Sequence, residues 1–202
     1  MPPEGARRRL GAVVLAAGSG RRLGGVAKAL LRDGGETLLA RVAALAAGAG
    51  VNASDVVVVV GPPFGDEVAA EARRVGATVV VNSAPERGMA SSVALGFAAL
   101  EARDSPDSGV AAAFLWPVDH PRVALATLAT LVALGQGVPS HGGRGGHPPL
   151  VPRRLFALLA ACTERAAGAR DILRELPRIP VDDPGVIADI DVPGDLERVC
   201  AP

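Results

Sequence analysis

At 202 residues, with 49% apolar and 21% charged side chains, the chain has the size of one domain and enough apolar surface for a sizeable core. Basic and acidic residues balance at 21 each, which excludes the broad positive footprint of a protein that grips long nucleic acid. Cys162 and Cys200 are too few and too far apart for a disulfide framework, and no run reaches the roughly 20 apolar residues of a membrane helix. Arg7, Arg8 and Arg9 before the apolar run 10–17 superficially resemble a secretory leader, but that run is short and enters a glycine loop. The expectation is a single cytoplasmic domain over 1–202, with no nucleic-acid partner and no membrane.

In chain order, apolar periodicity predicts a strand at 12–16, a helix at 37–49, a strand at 56–60, a helix at 66–75, a strand at 78–81, a helix at 91–101 and a strand at 111–116. Strands alternating with helices of this length form βαβ units around a mainly parallel sheet. Residues 56–60 are five consecutive valines, apolar on both faces, as a central parallel strand requires. Further on, a helix is predicted at 124–134 and a glycine- and histidine-rich loop at 135–146. Pro148, Pro149 and Pro152 then impose extended or edge-strand geometry. The tail reads as helices at 154–161 and 169–176, strands at 179–181 and 186–190, and a last helix from Pro193.

The strongest local feature follows the first strand: Leu15-Ala16-Ala17-Gly18-Ser19-Gly20-Arg21-Arg22-Leu23-Gly24-Gly25-Val26-Ala27-Lys28. Glycines allow a tight turn that brings backbone N–H groups close to phosphate oxygens, and Arg22 and Lys28 add positive charge. Of the 21 basic residues, Lys28 is the only lysine. A compact, flexible ammonium is therefore expected there, in place of a planar guanidinium. A Walker A loop is absent, and Gly18, Gly20 and Gly24 are spaced GxGxxxG, which disfavours a dinucleotide-binding fingerprint.

These residues, with several later segments, resemble the family of molybdenum cofactor nucleotidyltransferases, and most resemble its cytidylyltransferase branch. Leu15, Ala16, Ala17, Gly18, Arg22, Gly24 and Lys28 match the opening LAAGxSxRMGxxK motif, with Leu23 in place of methionine and Lys28 one position later. Asn82 with Gly88-Met89-Ala90-Ser91-Ser92 resembles the N…GMSSS segment, and Pro117-Val118-Asp119-His120-Pro121 the xxDxP metal motif. Gly146-His147-Pro148, Gly168-Ala169-Arg170 and the run from Asp189 to Leu196 match later motifs in the same order. The departures, Ala90, Ala94 and His120, fall where the acceptor is expected.

The resemblance implies a Rossmann-like three-layer α/β/α sandwich with a mainly parallel, mixed sheet, of the nucleotidyltransferase (GT-A-like) type. It implies transfer of an NMP group, with CTP favoured and GTP possible, to a phosphorylated acceptor such as molybdopterin, with release of pyrophosphate. Lys28, Arg22 and Asp119 would be catalytic. Leu15, Ala16, Ala17, Gly18, Ser19, Gly20, Gly24, Lys28, Asn82 and Ser91 would bind nucleotide; His120, His147, Gly146 and Ser92 would meet the acceptor. Asp119 at a strand end can hold Mg²⁺ (or Mn²⁺), since magnesium uses one or two carboxylates and keeps several waters. The resemblance motivates Asp191, ahead of Asp189, as the second ligand; the competing role for both is a turn and helix cap before Pro193. Ser91 and Ser92 can equally cap a helix, and the spacing of His120, His141 and His147 fits no zinc pattern. A transient contact with a molybdoenzyme or its chaperone is a further implication. Alternatives are another small-phosphate nucleotidyltransferase, such as one acting on a sugar phosphate, or a catalytically idle nucleotide-binding module with a regulatory or chaperone-like role.

Overall fold

The computed structural model describes residues 9–18, 20, 25–102, 109–162 and 168–190. Strand β1 (Leu10–Leu15) opens the chain, and a 3-10 turn at Lys28–Leu30 leads into a small hairpin of β2 (Arg32–Asp33) and β3 (Glu36–Thr37). Helix α1 (Leu38–Gly48) starts where the Thr37 hydroxyl accepts a hydrogen bond from the Ala40 N–H at 3.0 Å, satisfying one of the orphan donors of the first turn. There follow β4 (Val51–Val60), α2 (Gly65–Arg74), β5 (Thr78–Val81), α3 (Met89–Ala102) and β6 (Ala112–Pro117). The remainder comprises α4 (Leu125–Leu134), β7 (Val138–His141), β8 (Arg144–Gly145), β9 (Leu150–Pro152), α5 (Phe156–Ala160), α6 (Ala169–Leu173) and β10 (Arg178–Pro180).

The main sheet has the order β5-β4-β1-β6-β9, with the first four strands parallel and β9 antiparallel to β6. Alternate side chains of each central strand enter opposite cores. Ala12, Val14, Val56, Val58, Val60, Phe114 and Trp116 pack with apolar residues of α1, α2 and α4 on one face. Val13, Val57, Val59, Ala113 and Leu115 pack with α3, α5 and α6 on the other. All five valines of 56–60 are buried, as the valine run predicts. The result is a mixed, mainly parallel sheet between two helical layers.

Three expectations change. Strand β4 begins at Val51, earlier than the valine run, because Val51 pairs with Leu10 and the buried Asp55 receives the Arg9 guanidinium through two hydrogen bonds, from Nε at 2.8 Å and Nη2 at 2.5 Å. The segment 135–146 is not all loop: β7 and β8 form a second, three-stranded sheet with β10. Pro139 is accommodated in β7 because β8 pairs only with Ser140 and His141. Residues 186–190 form no strand; a 3-10 turn occupies Pro184–Ile187 instead. Its cause is Asp183, whose buried carboxylate accepts from Gly185 N at 2.9 Å, Ala124 N at 2.8 Å and the Thr127 hydroxyl at 2.7 Å, tying that turn to the start of α4. The helix expected from Pro193 lies outside the described residues.

Candidate active site

From β1 the chain runs outward to β4 and β5, then returns across β1 to β6. The direction of winding therefore reverses between β1 and β6, and the loops leaving these two strands diverge. A crevice outside the carboxyl ends of the strands at such a switch point is where open α/β sheets bind ligands. Leu15 and Pro117 are register partners, so the glycine loop and the Asp119 loop leave the sheet at one level.

A cavity of about 250 Å³ lies there. One wall is Leu15, Ala16, Ala17, Gly18, Gly20 and Lys28; the facing wall is Pro117, Val118 and Asp119; Met89 and Ser92 of α3 close it. Gly20 has φ +57°, and a Cβ on it would stand 1.8 Å from the Val26 carbonyl oxygen. Only glycine permits this fold-back, which the Gly25 N–H to Gly20 O hydrogen bond at 3.0 Å holds. The Lys28 ammonium reaches across the cavity and donates to Asp119 Oδ2 at 2.9 Å, with both side chains partly open to solvent.

Asp119 thus already holds one cation. A lone carboxylate facing a space where waters and triphosphate oxygens can complete the shell is the donor set that magnesium ordinarily uses, so the residues present fit such an ion. No group of three or more His, Cys, Asp or Glu side chains that could hold a metal occurs among the described residues. Ile190 N–H donates to the Asp119 carbonyl at 3.0 Å, bringing the chain before Asp191 onto the Asp119 loop. Asp191 itself, with Ser19, Arg22 and Gly24, lies outside the described residues, and Asp189 is exposed.

The other expected residues divide between the cavity and its supports. Asn82 is buried and lines neither cavity wall: its amide donates to the Ser91 and Ser92 hydroxyls at 2.9 Å each, and its Oδ1 accepts from Ala84 N at 3.0 Å. Ser91 in turn donates to Gly88 O at 2.7 Å. These bonds fix the start of α3, which carries Ser92 into the lining of the cavity. His120 is buried, with Nε2 at 4.0 Å from Asp119 Oδ1, and its ring lies 4.8 Å from that of His147. Burial, and secondarily the His120 ring, push the His147 pKa from 6.5 down to about 4, against the pull of Asp119. His147 is therefore neutral at physiological pH.

Sequence reading missed two arrangements. Asp33 on β2 accepts from Arg41 at 2.8 Å and from Arg122 at 3.0 Å, so the segment after Lys28 is clamped to the segment after Asp119. Nothing in local spacing announces this contact between residues 89 positions apart. A second cavity, about 820 Å³, opens beside the first and is lined by His147 and Gly146 together with Arg144, Arg170, Arg174 and Arg178. Gly146 is required there because a Cβ would stand 2.3 Å from the Val186 carbonyl oxygen. The Gly168-Ala169-Arg170 run was the one available clue to these arginines.

Comparison with known proteins decides the family. A model of the MobA-like NTP transferase domain matches residues 12–179. The chain belongs to that family. As a MobA-like protein it is a nucleotidyltransferase, and solved structures agree on the fold. It is similar to Rv0371c of Mycobacterium tuberculosis H37Rv at 26% identity and TM-score 0.74, over 96% of this chain and 98% of that one. Rv0371c has also been solved in complex with manganese, a structure matching at 23% identity and TM-score 0.66 over 95% and 98% of the two chains. Molybdopterin-guanine dinucleotide biosynthesis protein A from Archaeoglobus fulgidus matches at 17% identity and TM-score 0.61, over 94% and 95%. No curated protein matches the chain.

Proposed function

We propose that this MobA-like enzyme transfers a cytidylyl group from CTP to a phosphorylated acceptor such as molybdopterin, with Mg²⁺ (or Mn²⁺) and release of pyrophosphate, acting as one cytoplasmic domain over 1–202. One observation carries the reading: Lys28 and Asp119, from loops 91 positions apart, meet at 2.9 Å across a cavity at the sheet's switch point. A cation and a hard carboxylate converging beside a glycine loop are what binding of a metal-chelated triphosphate needs.

The chain's own residues perform positioning and charge neutralisation, which dominate phosphoryl-group chemistry. The acceptor's phosphate monoester is already ionised at neutral pH, so it attacks the α-phosphorus without a general base. The loop at Gly18 and Gly20 cradles phosphate oxygens, and Lys28 leaves Asp119 to neutralise charge on the triphosphate. Asp119, with Asp191 as the second ligand, would hold the metal, which when bound neutralises triphosphate charge. Arg22 adds a cation to the same loop. Asn82 and Ser91 act on the nucleotide side by holding α3, while His147 and Gly146 meet the acceptor in the second cavity. The manganese complex of Rv0371c supports a divalent ion. The cytidine preference rests on the motifs that most resemble the cytidylyltransferase branch.

The test is thermal shift of the full chain with each of the four nucleoside triphosphates and Mg²⁺, followed by pyrophosphate release with phosphorylated acceptors. CTP should raise apparent stability most, because a ligand preferring the native state stabilises it by mass action. Equal shifts for all four would remove the cytidylyl assignment, and pyrophosphate release with no acceptor tested would leave the nucleotidyltransferase without the acceptor class named here.

A further inference from the structure

The main sheet ends differently at its two edges. At one, β9 contains Pro152, and Leu150 exchanges two backbone hydrogen bonds with Gly137, at 2.9 and 3.0 Å, so that edge is already engaged. At the other, β5 (Thr78-Val79-Val80-Val81) pairs with β4 alone among the described strands. It carries neither proline nor charge, the devices by which proteins ordinarily blunt an open edge, and Val81 is 63% exposed.

Helix α2 packs over this edge, with Val68, Ala69 and Ala72 in the core that covers β4 and β5. Its Glu71 accepts from the Thr37 hydroxyl at the start of α1, so the Glu71 flank looks inward along the sheet. At about 100° per residue, Asp66, Ala70 and Arg73 share the opposite flank, above β5. All three are exposed. This stripe has an acid at one end, a base at the other and a small residue between. The order complements the helix dipole, and it also makes the stripe complementary to its own reverse. A two-fold axis normal to the sheet supplies that reverse: β5 pairs antiparallel with its copy, and Asp66 of each copy faces Arg73 of the other. Because α2 contacts both β4 and β5, the two α2 helices then lie about two strand spacings apart, roughly 10 Å, the ordinary separation of packed helices. We propose that the chain forms a two-fold dimer through β5 and α2, joining the two main sheets into one. Neither element contributes a lining residue to the two cavities described above, so the interface is separate from both.

Analytical ultracentrifugation of the full chain over a concentration series tests this, with far-UV circular dichroism verifying the fold of each variant. Wild type should associate to a dimer and no further. Val81→Lys sets an ammonium into the strand pairing and should raise the dimer Kd by about 100-fold or more. Asp66→Arg and Arg73→Asp each turn two attractive pairs into two repulsive ones and should each raise the Kd about tenfold. An equimolar mixture of these two variants should regain the wild-type Kd, since in the mixed dimer every arginine again faces an aspartate. Val81 lies at an exposed strand end, so its substitution gives an answer even where an α2 variant fails to fold. Wild type that stays monomeric at every concentration, a dimer unchanged by Val81→Lys, or a mixture as weakly associated as its folded components would overturn the proposal.

Discussion

The cavity at the ends of β1 and β6 and the larger cavity beside it meet at Leu15, Met89 and Pro117, yet they are built differently. The first is lined largely by residues that follow two neighbouring strand ends, with one lysine and one aspartate facing each other. The second is lined by Leu15 and by residues spread over 89–178, and the charged ones among its described lining residues other than His147 are all arginines. On the proposed reading, the first cavity takes the part of the substrate common to every nucleoside triphosphate. A side-chain-built pocket suits the part that differs between acceptors, because side chains can change without disturbing the sheet. On the proposed reading, chemistry and selectivity fall to separate compartments.

The sharpest way to break that division is Asp119→Asn. It should abolish metal-dependent pyrophosphate release, lowering turnover by more than about 10³-fold, since a bound metal contributes several kcal/mol of charge stabilisation. A wild-type response of initial rate to a Mg²⁺ titration would refute the role. Lys28→Ala should lower kcat by about 10²–10³-fold, comparable to losing one preorganised donor to developing charge, while far-UV circular dichroism stays native. Near-normal kcat would remove lysine from the phosphate site.

His147 extends the comparison to pH. Its folded-state pKa of about 4 lies below the ordinary 6.5, so the folded state binds fewer protons than the unfolded chain between these values. The resulting stability is complete above about pH 6.5 and is lost as pH falls towards 4, by up to about 3 kcal/mol. Urea denaturation of wild type and His147→Asn across this window should show the difference between them shrinking as pH falls. Parallel curves would mean that His147 is not buried as a neutral ring in the wall. The smallest effect is expected where the two cavities meet: Met89→Ala should raise the acceptor KM a few-fold, about 1 kcal/mol or less, with little change in the nucleotide KM. Equal changes in both constants would argue against a partition at this residue.

Legibility followed the same boundary. The valine run of β4, the loop from Gly18 and the carboxylate at Asp119 were readable because each is a local feature with a local cause: two-sided burial, tight backbone turning, and position at a strand end. Strands β7 and β8 were hidden by Pro139 and by glycines, whose sequence signature is that of a loop until pairing partners are known. The turn at Pro184–Ile187 was misread because Val186 and Ile187 are apolar, while the determinant is Asp183, whose other partners, Ala124 and Thr127, are distant in sequence. The arginines of the second cavity are spread over residues 144–178 in a chain with 20 arginines, so composition offered no means of selecting them.

The order of apolar runs was enough, taken alone, to determine the α/β layering, and the lone lysine in a glycine loop was enough to single out Lys28 as a candidate. Both depend on interactions within a few residues or on burial periodicity, which a linear chain displays. Only the tertiary structure decided that Lys28 meets Asp119, that Asp33 clamps their two loops through Arg122, and that four arginines face one cavity. Those contacts depend on strand order and on the return across β1, and long-range pairing of charges leaves no periodic trace in the sequence.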